Sequence, residues 1–170
     1  MEENARLRGK FHIECYDKHG TLKWVEDCHN LVTNEGLDAL LNIMFHRSTQ
    51  ITTWYCALVE SDTAAAAGMT YAVPVYTECT AYDELTRPEY EAAAASSQSI
   101  TNSANAATFT ISDTKTLYGA AIVGGGTDGN TKGDTAGGGT LYCYSKFTAS
   151  RSAVDDDVLN LTYTLSVDDS

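Results

Sequence analysis

The stretch from Val158 to Val167 constrains this chain most, because it alternates apolar and polar residues without a break. Leu159, Leu161, Tyr163, Leu165 and Val167 fall on one face, and Asn160, Thr162, Thr164 and Ser166 fall on the other. A period of two belongs to a strand with one side in a core, so the fold must contain a sheet backed by a second layer. Lys10–Tyr16 repeats the pattern with Phe11, Ile13 and Cys15 inward, and Thr108–Ile111 repeats it briefly. The turn formers Asp17–Gly20 join 10–16 to a second strand over 21–26.

Further strands are expected over 53–59, rich in β-branched and aromatic residues, over 117–123, an interior strand whose small residues permit close packing against a neighbouring layer, and over 141–147. Pro74 and Pro88 make 71–91 an edge or a connection. Helical spacing occurs once: Leu37, Leu40, Leu41, Met44 and Phe45 share a face, behind a cap at Thr33 or Asn34 and with Glu35 in the first turn, which predicts a helix over 34–46. With about seven or eight strands and no strand-helix alternation, the expected class is mainly β. The expected architecture is an antiparallel β-sandwich or jelly-roll-like barrel, its one short helix covering an open end.

At 170 residues the chain suffices for one core. We expect a flexible arm at 1–9, a single domain at 10–170, and a mobile exposed loop at 124–139, where half the residues are glycine.

Charge narrows the partners. Eleven Lys and Arg stand against 23 Asp and Glu, a net of −12, which repels phosphate backbones and anionic lipid, so neither nucleic acid nor membrane is expected as a partner. The N-terminus lacks an apolar run behind its charges, and no stretch approaches membrane-spanning length, so synthesis and retention in a cytoplasm are expected. Residues 1–30 carry five basic and six acidic side chains, leaving six and seventeen for the rest. Arg6, Arg8 and Lys10 therefore form the part best suited to an acidic partner, and they are the candidate partner-binding residues.

Catalytic and cofactor signatures are weak. The four histidines make no H-x-x-x-H or H-E-x-x-H spacing, and no serine lies in a G-x-S-x-G elbow. The cysteines, Cys15, Cys28, Cys56, Cys79 and Cys143, are odd in number and without a Cys-x-x-Cys pair, so reduced, mainly buried thiols are expected. The sequence offers His29 with Cys28 or Cys56 as a minor nucleophilic pairing. The glycine-rich loop is not a P-loop, since it lacks the Gly-Lys-Ser/Thr order and leads into a strand. Asp128, Asn130 and Asp134 miss the spacing of a calcium loop, and Asp155–Asp157 reads as a polar turn before the last strand. No cofactor is expected.

Two segments are familiar. Trp24–Leu41, WVEDCHNLVTNEGLDALL, resembles small tailed-phage virion structural proteins in which a hairpin leads through N-L-V-x-N-x-G-L into a short helix. Ser152–Val167 resembles their closing V-x-x-G-D-x-L-x-V-x-Y-T strand, with Asp156 where glycine is usual. The resemblance implies a non-enzymatic capsid decoration or cement protein, located in the virion. Its implied partners are the major capsid protein and copies of itself, as dimer or trimer. The alternative is a tail or fibre component that binds a receptor or carbohydrate, for which exposed Tyr82, Tyr142 or Tyr144 would serve as a platform.

Overall fold

The structure is a computed structural model, and it describes residues 5–169. Its strands are β1 (Ala5–Tyr16), β2 (Leu22–His29), β3 (Leu31–Val32), β4 (Trp54–Val59), β5 (Glu78–Cys79), β6 (Ser99–Thr101), β7 (Ala107–Thr110), β8 (Lys115–Gly124), β9 (Thr140–Ala153) and β10 (Val158–Asp169). The helix α1 (Asn34–Phe45) follows β3. One antiparallel sheet runs β2-β1-β10-β6 with β7 also beside β10, and the other runs β3-β9-β8-β4-β5. The fold is mainly β, two open sheets face to face in a sandwich rather than a closed barrel.

The alternating segments place their apolar faces between the sheets. Phe11, Ile13 and Cys15 of β1 meet Leu159, Leu161 and Tyr163 of β10 across the ladder and are fully buried, against Cys56, Leu58, Ile122 and Cys143 of the opposite sheet. The second sheet is covered on its outer face as well. Ala57, Val59, Ala121, Val123, Leu141 and Tyr144 form a smaller cluster there with Met69, Tyr71 and Tyr76 from the connection after β4. Two-sided burial explains why 117–123 lacks alternation and is rich in small residues.

Between the sheets, β2 and β9 are joined by side chains instead of a ladder. Glu26 is buried; its carboxylate accepts the Thr148 N–H at 2.7 Å and a fork from Arg151, Nε at 2.8 Å and a terminal nitrogen at 2.6 Å. Trp24 Nε1 donates to the Ser152 carbonyl at 2.8 Å. In this way side chains of β2 satisfy two backbone groups of β9, the Thr148 N–H and the Ser152 carbonyl.

The arm expectation is corrected for residues 5–9. They belong to β1 and pair residue by residue with β10, from Ala5 opposite Asp169 to Gly9 opposite Leu165. The charges that suggested a solvated tail lie on the outer face of a half-buried strand, where acids stand close by: Arg8 Nε is 2.9 Å from Asp168, and Lys10 Nζ is 2.7 Å from Asp27. Residues 1–4 of the expected arm lie outside the described residues.

The glycine-rich loop is also corrected from free to tied. Arg87 is buried beside it and uses every guanidinium nitrogen: Nε and one terminal nitrogen on Glu78 at 2.9 and 2.6 Å, with further bonds to the carbonyls of Gly129 at 2.9 Å and Asp134 at 3.0 Å, and to Tyr71 Oη at 3.0 Å. The Arg87 N–H donates to Asn130 O at 2.8 Å, and Gly133 N–H donates to Glu78 at 3.1 Å. Glycines serve here because carbonyls must converge on a cation, and Gly126, Gly133 and Gly138 have positive φ.

Arg87→Met should therefore cost about 3–5 kcal/mol in urea unfolding, since it strands the buried Glu78 carboxylate, and it should open 125–139 to proteolysis. A loss below about 1 kcal/mol would show that the loop stands without the clamp.

Candidate assembly surface

The start of α1 is built into β9. Relative to β8, β9 carries an extra residue at Tyr142, since Ile122 pairs with Cys143 and Val123 with Leu141. The Tyr142 carbonyl accepts the Thr33 N–H at 3.0 Å, Thr33 Oγ1 donates to the Leu141 carbonyl, and the same oxygen caps the helix by accepting Gly36 N–H at 3.0 Å. Glu35 reaches back to accept Leu141 N–H at 2.6 Å and Tyr71 N–H at 2.8 Å. A Cβ on Gly36 would lie 2.3 Å from the Tyr142 carbonyl oxygen, so glycine at this point sets how closely the helix approaches the strand.

The rest of the helix is held less fully. Gly36 is its one buried residue among those described. Leu40 and Ile43 are half-buried, while Leu41, Met44 and Phe45 are 54, 66 and 80% exposed, a gradient that rises toward the C-terminal end. Leaving such side chains in water forgoes about 1.5–3 kcal/mol each. Beneath the helix lies a cleft of about 270 Å³ at the end of the sandwich, lined by Leu40, Ile43, Met44, Trp54, Tyr142 and Leu165, among others. None of the residues lining it is charged. The Tyr142 hydroxyl in its wall is buried without a hydrogen-bond partner.

The helix was legible in the sequence; the direction of its apolar face was not. Of Leu37, Leu40, Leu41, Met44 and Phe45, expected to face a core at the open end, Leu40 and Met44 line the cleft there, whereas Leu37, Leu41 and Phe45 are exposed. The tyrosine platform is corrected: Tyr82, Tyr142 and Tyr144 are all buried, Tyr82 against Phe109 and Tyr144 against Tyr76.

Other candidates are placed as follows. Arg6, Arg8 and Lys10 lie along the outer face of β1, with Arg6 opposite Asp168 in the ladder. His29 is exposed and Cys28 buried, as successive strand residues must be, so the two do not form a dyad. Asp134 accepts Tyr71 Oη at 2.8 Å and Gly137 N–H at 2.9 Å, and Asp128 accepts the Thr127 hydroxyl at 2.8 Å. Asp155–Asp157 is a turn. Asp156 sits at φ +68°, a left-handed conformation that favours glycine, and buried Asp157 pairs with Lys23 and accepts Val154 N–H at 2.8 Å.

All five cysteines are free and buried. Burial, which strips water from a thiolate, is the main cause of their raised pKa values: Cys15 and Cys143 are pushed up to about 12, and Cys28 and Cys79 to about 11. Burial raises the Tyr142 and Tyr163 hydroxyls also.

No protein-family model matches the chain, and no curated protein matches it. No helix among the described residues is long and apolar enough to cross a membrane.

The raised thiols fix a pH dependence. A group whose pKa is higher in the folded state stabilises the fold fully below its unfolded value, 9.0 for these thiols, and the contribution is lost as pH climbs toward 11–12. The urea midpoint should fall steeply above pH 9, by about 1.4 kcal/mol per pH unit for each group ionised only in the unfolded chain. A midpoint that stays flat between pH 8 and pH 11 on the same basis would contradict the burial of these groups.

Proposed function

We propose that this protein is a non-enzymatic structural component of a tailed-phage virion that decorates the head and stabilises it by binding the lattice of the major capsid protein. The observation that carries the reading is the outward apolar stripe of α1, Leu37, Leu41, Met44 and Phe45, on a protein whose surface is otherwise strongly acidic. An exposed apolar strip along one helix is suited to docking on another protein, and the net charge of −12 keeps unassembled copies apart in solution.

The two segments that resemble virion proteins have definite places in the fold. Thr33 and Gly36 of the N-L-V-x-N-x-G-L segment seat the helix on β9, and the closing segment supplies the turn at Asp156 and the central strand β10. The first segment thus carries the geometry that seats the helix bearing the stripe. The tail or fibre alternative loses its main argument with the burial of Tyr82, Tyr142 and Tyr144.

Antibodies against the protein should label the heads of virions from the phage that encodes it, and the purified protein should bind shells lacking it, saturating in fixed proportion to the capsid protein. Labelling confined to tails, or a failure to bind shells, would reject the decoration role.

A further inference from the structure

We propose that the cleft beneath α1 is a binding site for a small uncharged molecule, mostly hydrocarbon, that carries one carbonyl-type hydrogen-bond acceptor.

The walls are apolar and belong to the framework of the fold. Leu40 comes from α1, Ile122 from β8 and Leu165 from β10, with Ile51 just before β4. Both sheets and the helix thus contribute, and the space does not depend on one loop. An apolar cavity of about 150 Å³ is enough for benzene. At about 270 Å³, the cleft has room for roughly ten non-hydrogen atoms on the same basis.

One polar group in those walls is out of balance. Tyr90, Tyr142 and Tyr163 all line the cleft, and two of their hydroxyls are engaged: Tyr90 Oη donates to the Ile100 carbonyl at 3.4 Å, and Tyr163 Oη accepts from Asn30 Nδ2 at 3.1 Å. The third has no partner, although Tyr142 is only 8% exposed and its ring is set edge to face on Trp54 at 5.7 Å. An unpaired buried hydroxyl is costly, and a bound acceptor removes that cost. Water fills the place poorly, since an ordered water takes about two to four polar partners and the surrounding walls are mainly aliphatic and aromatic.

The same residues define the ligand's chemistry. Burial, with Cys143 and Tyr90 close by, raises the Tyr142 pKa, so the group stays a neutral donor and calls for an acceptor. No charged residue lines the cleft, so a carboxylate or phosphate would enter without a cation to pair with, on a chain of net −12. A ketone, ester or amide carbonyl on an aliphatic or aromatic frame meets both conditions. The site lies beneath α1 and leaves exposed Leu37, Leu41 and Phe45 to the docking role proposed above, on which it does not depend.

The test is an NMR titration of the full chain with 1-indanone, a bicyclic ketone of this size, with indane, its hydrocarbon counterpart, and with indane-1-carboxylate, its anionic one. Methyl resonances of Ile51, Ile122 and Leu165 report binding in the cleft. The ketone should shift them with a Kd of about 10–500 μM, indane should bind more weakly, and the carboxylate should not bind. Tyr142→Phe should weaken the ketone about 3–10-fold, leave indane unchanged and not lower Tm, because the hydroxyl has no partner to lose. Ala39→Phe, which fills the cleft from the helix side, should remove binding of both. The site is overturned by silent methyls at about 2 mM ketone, by a carboxylate that binds as tightly as the ketone, or by binding that survives Ala39→Phe. Equal weakening of ketone and hydrocarbon in Tyr142→Phe would overturn the role of the hydroxyl, as would a lowered Tm, which would show that it already has a partner.

Discussion

The architecture turns on one short contact, the carbonyl of Tyr142 and the backbone around Thr33. A single extra residue in β9 sets that carbonyl where the Thr33 N–H can reach it, and the chain uses it to begin a helix. Thr33 then satisfies backbone groups on both sides, the Leu141 carbonyl and the Gly36 N–H, which would otherwise be buried without partners. Glu35 adds Leu141 and Tyr71, so the β9 bulge, the helix and the connection covering the outer sheet meet at three consecutive polar decisions. The direction of the apolar stripe follows, because a helix fixed at its first turn has little freedom in where its last turn points.

Buried charge completes the frame away from that junction. Glu26 with Arg151 holds β2 to β9, Asp157 with Lys23 holds the last turn to the first hairpin, and Arg87 with Glu78 gathers the glycine-rich loop. Each pair has additional backbone donors or acceptors, the condition under which desolvated ions are tolerated. Glu26–Arg151 and Lys23–Asp157 join segments far apart in sequence, whereas Arg87 and Glu78 are nine residues apart. The sandwich is therefore closed along its sides by polar staples and left apolar and open at the helix end.

Much of this was readable from sequence where periodicity decides. Leu159–Tyr163 and Phe11–Cys15 pointed to the core face, and Thr33, Glu35 and Leu37 onward marked the helix and its cap. Three things were not readable. Ala5–Gly9 looked like a tail because Arg6 and Arg8 are charged, and only the length of β10 opposite them makes them a strand. The loop after β8 looked mobile because glycine density signals lost side-chain contacts, whereas its carbonyls are the ligands of Arg87, a residue 42 positions before Gly129 whose role has no local signature. The stripe of α1 looked like core because a hydrophobic period gives the face but not what lies beneath it. Trp54 and Tyr142 pack edge to face in the wall of the cleft beneath it.

The most direct measurement of the central contact is the stability of Gly36→Ala. In an ordinary helix interior this change stabilises by about 0.5–1 kcal/mol, because alanine loses less backbone entropy than glycine. Here the new methyl would meet the Tyr142 carbonyl oxygen at 2.3 Å, backbone against backbone, so a loss of about 2 kcal/mol or more is predicted. A gain in stability would mean that α1 does not rest on β9 as described, and that the orientation of its apolar stripe is set by something else.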